Sequence, residues 1–146
     1  MPETVDIFKN KKTGLFLLQK KCTDPVLKGP TSVGEPEILS SADLSQQGVR
    51  KILDALDSSS KPCSDQAQIR RRSEEEYRRF CNLHHCVTVA RWPSGTGEIE
   101  LYPLRRVRRG YRSIKDGKIV LPADQVQHRL LNAVLLAFQQ IEEENR

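Results

Sequence analysis

Apolar residues recur at three- and four-residue intervals from Val126 to Ile141. Val126, Leu130, Val134, Phe138 and Ile141 form one stripe, and Leu131, Ala133, Leu135, Leu136 and Ala137 widen it. That period is the period of an α-helix. A stripe so wide implies a mostly buried helix, which needs a second layer to lie on. The second layer is legible just upstream, where the period changes from 3.6 to 2. Cys86-Val87-Thr88-Val89-Ala90-Arg91-Trp92 is rich in β-formers, and turn residues follow at 93–97. Ile99 and Leu101 alternate with Glu98, Glu100 and Tyr102. Asp116-Gly117 is a hairpin signal flanked by Ile114 and Ile119-Val120-Leu121. Three or four antiparallel strands fit between 86 and 121. Pro103 has no N–H for a ladder, so its strand is expected to be an edge or to break there. The expected fold class is α+β: an antiparallel β-sheet with packed helices, including the long apolar C-terminal helix.

The rest of the chain fits one domain over 1–146, since domains of about 100–150 residues are the commonest. Residues 1–43 read as an N-terminal hairpin and loop. Val5 and Ile7 alternate in the first strand, Asn10–Gly14 is the turn, and 15–18 is the second strand. Pro25, Gly29, Pro30, Gly34 and Pro36 mark 22–41 as a loop with one short extended piece. Val49, Ile52, Leu53 and Leu56 define a helix face, with Asp43 or Ser45 as cap and Ser58 to Pro62 as stop. A polar loop is expected at 58–69. Ser73 followed by Glu74, Glu75 and Glu76 has the capping-box spacing and opens a helix at 74–84.

No apolar run reaches the 18–20 or so residues that a membrane span needs, so no membrane partner is expected. The first residues, MPETVDIFKNKKTG, lack the apolar core of a secretory signal. Cys22, Cys63, Cys81 and Cys86 are unevenly spaced and do not suggest a disulfide framework. The expected state is a reduced, cytoplasmic protein.

Two clusters invite a catalytic reading. Cys81-x-x-His84-His85-Cys86 has zinc-like residues, but a closed site needs four ligands, and Cys63 would have to complete it. The adjacent histidines point apart on any regular element, and Cys81 shares an apolar face with Tyr77 and Phe80. The same cysteines and histidines lack the glycine-framed setting of a nucleophile, and no phosphate-binding glycine loop is present. No enzyme activity, metal or cofactor is expected.

Arginine is the stronger signal. Residues 70–118 hold 13 basic and 6 acidic side chains, a net of +7, in a chain of net charge +5. Arg70-Arg71-Arg72 precede the second helix and Arg78-Arg79 lie on it. Arg105, Arg106, Arg108, Arg109 and Arg112 bracket Tyr111. Guanidinium forks match carboxylates and phosphates, and Trp92, Tyr102 and Tyr111 are candidate anchors. The candidate interface is Arg105, Arg106, Arg108, Arg109, Tyr111, Arg112 and Trp92, with Glu74 and Glu75 as an acidic counterpart. A blander reading is a solvated face with arginines paired to Glu74, Glu75, Glu98 and Glu100. Asp54, Asp57, Glu74, Glu75 and Glu76, with Glu98 and Glu100, offer a second, acidic contact surface.

The order of elements resembles a known family. Its pieces are Leu44 to Ser60, the aromatic helix with Tyr77 and Phe80, Cys86 to Trp92, a glycine turn, Ile99 to Leu104, Gly110-Tyr111, Gly117 to Pro122 and the final apolar helix. Over 44–141 this is similar to the immunity proteins of contact-dependent growth inhibition systems in Gram-negative bacteria. The resemblance implies a cytoplasmic inhibitor without catalytic residues or cofactor. Its partner would be the cognate C-terminal toxin domain of a delivered effector, often an RNase, blocked by direct binding. A cover for a basic nuclease cleft should be acidic, whereas this chain is basic. The alternative is a nucleic-acid-binding protein using the 70–118 segment.

Overall fold

Two strands open the chain as their alternation predicts. β1 (Glu3–Asn10) and β2 (Phe16–Gln19) pair antiparallel, Ile7 opposite Leu18 and Lys9 opposite Phe16. Asn10 shapes the turn between them, its side chain accepting the Lys12 and Thr13 N–H at 2.8 and 3.0 Å. The computed structural model describes residues 2–24, 26, 30–39, 46–63, 73–93 and 95–144.

Residues 22–41 hold more structure than the expected loop. β3 (Lys21–Thr23) and β4 (Pro30–Ser32) form a two-stranded ribbon, and β5 (Glu37–Leu39) joins β2 at the edge of the main sheet. Strands of three residues are too short to carry a period, so only their partners define them. α1 (Gln46–Ser59) and α2 (Glu74–Leu83) match the expected helices. Ser73 caps α2, its hydroxyl accepting the Glu76 N–H at 3.2 Å. The caps proposed for α1, Asp43 and Ser45, lie outside the described residues, as do 64–69 of the polar loop and Arg70 to Arg72.

The expectation of reduced cysteines is corrected. Cys22 and Cys63 are joined by a disulfide, with Cα atoms 5.1 Å apart. Thr23 forms a parallel bridge to Pro62, and this brings together residues 41 positions apart, a proximity no spacing rule reveals.

β6 (His84–Arg91), β7 (Ile99–Val107), β8 (Gly110–Ser113) and β9 (Ile119–Leu121) fill the expected β region, and a single turn at Ala123–Gln125 leads into α3 (Val126–Glu144). Among the described residues the main sheet runs β5-β2-β1-β6-β7-β8, with β9 also on β7. Two expectations change. Pro103 is neither at an edge nor at a break: β7 has β6 on one side and both β8 and β9 on the other. β9 pairs with Ile99 to Leu101 and β8 with Leu104 to Val107, so Pro103 falls in the gap between them. Its carbonyl points into that gap and accepts the Ile114 N–H at 3.0 Å. Its missing N–H therefore costs the ladder nothing. Asp116-Gly117 does not close a hairpin, because β8 and β9 each pair with β7. Asp116, at φ 60°, turns the chain from one to the other.

Val5, Ile7, Leu18, Val87, Val89, Ile99 and Leu101 share one sheet face, and α1 and α3 cover it. Burying each such side chain contributes about 1.5–3 kcal/mol. Leu130, Val134, Phe138 and Ile141 of α3 are buried there, whereas Leu135 and Leu136 stay 42% and 48% exposed. The helix thus buries a narrower stripe than its sequence suggests. The opposite face carries Asp6, Phe8, Cys86, Thr88, Tyr102, Leu104 and Tyr111 by strand alternation. α2 and the β3–β4 ribbon cover it incompletely: Asp6, Thr88, Tyr102 and Leu104 are all half-buried.

Candidate binding site

The arginines converge on the β7–β8 hairpin. Val107 pairs with Gly110, so Arg108 and Arg109 form its two-residue tip, and both are exposed. Gly110 takes φ +110°, a value side chains disfavour, and a Cβ there would lie 3.2 Å from the Tyr77 hydroxyl. Glycine thus permits both the turn and the close approach of α2.

Register places Arg105 directly opposite Arg112, and Arg106 opposite Tyr111. Facing like charges destabilise a sheet by a few tenths to about 1 kcal/mol. Arg105, Arg108, Arg109 and Arg112 meet no carboxylate among the described residues. Arg106 differs from them. Its guanidinium donates to the carbonyls of Val107 and, at 2.9 Å, Gly110, and it reaches Asn82 Oδ1 at 3.3 Å. It braces the turn as well as charging it.

Two hollows adjoin the hairpin. A pocket of about 190 Å³ is lined by Glu74, Tyr77, Arg78, Arg106, Arg108, Arg109 and Gly110. A cavity of about 380 Å³ lies beside it, over the incompletely covered sheet face. Its floor is an ion pair, Lys21 Nζ to Asp6 Oδ2 at 3.1 Å, and Thr88 donates its hydroxyl to Asp6 Oδ1 at 2.8 Å. Phe8, Leu104, Tyr77 and Tyr111 supply its apolar walls. Tyr111 donates to the His84 carbonyl at 2.9 Å, tethering β8 to the α2–β6 junction. Burial, with Cys81 adding, pushes the Tyr77 phenol up to about 12. Burial raises Tyr111 further, with Cys86 and Cys81 contributing. Both phenols are protonated at neutral pH.

Of the residues nominated from sequence, the structure brings Arg106, Arg108, Arg109 and Glu74 to one pocket with Tyr111 beside it, whereas Arg105 and Arg112, on the same hairpin, face the opposite side of the sheet and line neither hollow. Glu75 is engaged by Arg79 one turn along α2. Trp92 is not part of the site. It lies at the far end of β6, six residues and about 20 Å from Cys86. The acidic surface is largely spoken for: Asp57 pairs with Arg91, Glu100 accepts from Tyr102, and Glu74 lies 3.9 Å from Arg78. Sequence reasoning missed Asp6, Lys21, Thr88 and Leu104. The one hint was Asp6 alone among apolar residues in Val5-Asp6-Ile7-Phe8.

The Cys/His cluster is taken apart. His84 is buried and stacked on Phe80 at 4.1 Å, its Nδ1 2.8 Å from the Phe80 carbonyl. His85, on the opposite face of β6, is adjacent to Lys9. Cys63 belongs to the disulfide. Burial, with Asp6 adding, raises the Cys86 thiol well above its usual range, so it is protonated and poorly nucleophilic. Among the described residues, no three His, Cys, Asp or Glu side chains are grouped to hold a metal. No helix among them is long and apolar enough to cross a membrane.

No family model matches the chain, and no curated protein matches its sequence. A solved structure does: NMB0488, a protein of unknown function from Neisseria meningitidis, is 17% identical with a TM-score of 0.67, the match covering 96% of this chain and 95% of that one. This chain thus shares its α+β fold, from the N-terminal hairpin to the C-terminal helix, with the meningococcal protein.

Proposed function

We propose that this chain is an immunity protein that neutralises the C-terminal toxin domain of a contact-dependent growth inhibition effector by direct binding in the cytoplasm. The resemblance over 44–141 suggests the class. The observation that carries the binding role is the Arg105–Arg112 pair. A hairpin that sets like charges opposite each other, with two more arginines at its tip and no carboxylate to offset them among the described residues, forgoes stability for surface charge. Such a surface speeds encounter with an acidic partner and orients it. Its guanidinium forks match carboxylates in pairs, including those that line the catalytic face of a nuclease. The hairpin blocks that face by occupying it, which requires no chemistry of its own.

Phosphates offer the same forks a target, and Tyr77 and Tyr111 beside them offer bases a stacking surface, so binding of nucleic acid is the second reading. Salt separates the two. Nucleic-acid affinity falls steeply as counterions are released, whereas a protein interface with desolvated anchors loses mainly association rate.

The test is co-expression with the C-terminal toxin domains of contact-dependent growth inhibition effectors found in the source genome. Rescue of growth and a stoichiometric complex are expected, both lost on Arg108→Glu with Arg109→Glu. These two tip residues are exposed, so the double variant keeps the thermal transition of the parent, whereas reversing Arg106 would also remove the brace of the turn. Absence of rescue overturns the proposal.

A further inference from the structure

We infer, resting on the binding role above, that the arginine pocket and the neighbouring cavity are two halves of one docking groove. Its occupant is an acidic loop of the partner: carboxylates meet Arg108 and Arg109, and an adjacent large neutral side chain fills the cavity.

Contiguity comes first. Tyr77 lines both hollows, and the consecutive residues Gly110 and Tyr111 line one each. A chain segment crossing Tyr77 therefore reaches both. The two halves differ in what they ask of a ligand. Among the described residues, the pocket's guanidinium groups meet no carboxylate beyond Glu74, which already lies beside Arg78. Carboxylates are the complement.

The cavity asks for the opposite. Its two charges, Asp6 and Lys21, neutralise each other at 3.1 Å, and Thr88 takes the second Asp6 oxygen. The Gln19 amide nitrogen donates to the Lys20 and Val33 carbonyls. What remains is an electrically balanced floor under walls of Phe8, Leu104 and two protonated tyrosines. A charged side chain entering it would lose hydration over a floor whose two charges already neutralise each other. An apolar or aromatic one loses nothing, and Lys21 has spare donors for the carbonyl of the segment that carries it.

Size narrows the occupant. At about 380 Å³ the cavity is near the lower end of the roughly 300–1,000 Å³ of ligand sites. That accommodates one large side chain and its backbone, in the manner of an interface hot spot ringed by polar contacts. The groove is also preformed: Gly110 holds the conformation that lets Tyr77 cross the hairpin, and Tyr111 is tied to the His84 carbonyl. Little ordering is left to be done on binding.

The test titrates isotope-labelled protein with a blocked Glu-Phe-Glu tripeptide, its Lys-Phe-Lys counterpart and a short single-stranded RNA, following backbone amide shifts. Glu-Phe-Glu should shift the amides of Thr88, Leu104 and Tyr111 together with those of Arg108 to Gly110. Leu104→Trp, which fills the cavity, should weaken that binding by at least about 30-fold. Tyr77→Ala, at a half-exposed helix position, removes the wall common to both halves and should do the same. Thermal unfolding shows that each variant is folded.

Equal binding of Lys-Phe-Lys, shifts confined to the hairpin tip, or unchanged affinity in the folded variants overturns the groove. So does an RNA that occupies the cavity amides when the peptide does not. Failure of the immunity role is separable. If the co-expressed toxin is not neutralised while the acidic peptide still seats in the cavity, the groove stands without that role. Neutralisation undiminished by Leu104→Trp overturns the groove and leaves the role intact.

Discussion

Breaking the Cys22–Cys63 bond tests how far the link between β3 and the end of α1 holds the fold. The bond spans a sequence separation of 41 residues. In the chain-entropy description, leaving a loop of that length open in the unfolded state costs folding about 4 kcal/mol at room temperature. Domains of this kind have about 5–15 kcal/mol in total, so the loss is a large share. The local geometry has other support. Thr23 donates its N–H to the Lys61 carbonyl and accepts that of Cys63, both at 2.9 Å, and its hydroxyl reaches the Ser59 carbonyl at 3.1 Å. The reduced protein should therefore keep its fold. Cys22 is buried, so a serine there adds the cost of burying a hydroxyl, and reduction by dithiothreitol is the cleaner perturbation.

Urea unfolding of the oxidised and reduced forms reads the difference directly. The reduced form should lose about 4 kcal/mol, with an unfolding temperature lower by about 8–16 °C. A loss under about 1 kcal/mol would refute the loop-entropy reasoning, since the unfolded chain must then already hold the two ends together. The measurement also bears on the cytoplasmic proposal, because the cytosol keeps most thiols reduced. A reduced form that remains folded at growth temperature is what that proposal requires.

Other perturbations isolate single interactions. Arg105→Glu replaces a facing like-charge pair with Arg112 by an opposite one, so it should stabilise the chain by about 0.2–1 kcal/mol in thermal unfolding while weakening the partner complex. Stabilisation without loss of binding would remove Arg105 from the interface. Ser73→Ala removes the acceptor for the Glu76 N–H and should cost about 1 kcal/mol in urea unfolding. Leu130→Ala, at a fully buried position on α3, should cost about 2–5 kcal/mol in the same assay. His85 is held below its usual 6.5 by burial, then by Lys11 and Lys9, against an opposing Glu142. The unfolded chain then takes up its proton first as pH falls. Stability should decline as pH drops through about 6.5 and level off below the folded value. His85→Gln should flatten that part of the stability–pH profile.

Much of the fold was legible because helices and strands announce themselves over a few residues. The period of α3, the capping box at Ser73 and the alternation of β1, β6 and β7 each involve neighbours at most a few positions apart. The site was legible only by composition. Clustered arginines between Leu104 and Ser113 marked a charged segment, but which of them faced one another depended on the register of β7 with β8. That register set Arg105 against Arg112 and made Arg106 a brace. Trp92, equally prominent in sequence, was excluded because its neighbour Arg91 pairs with Ile99, at the end of β7 away from the hairpin. The cavity was not legible, since Asp6, Lys21, Tyr77, Thr88, Leu104 and Tyr111 come from six different elements.

Local patterning by itself determined the α+β class, the N-terminal hairpin, the extent of α2 and α3 and the strand-rich region between them, because each of these follows from short-range period and backbone chemistry. Tertiary structure alone decided the Cys22–Cys63 bond, the three short strands between Lys21 and Leu39, the place of Pro103 between β8 and β9 and the joining of cavity to arginine pocket. Those depend on which distant segments lie side by side. Strand order and register create that adjacency once the common core under α1 and α3 has closed.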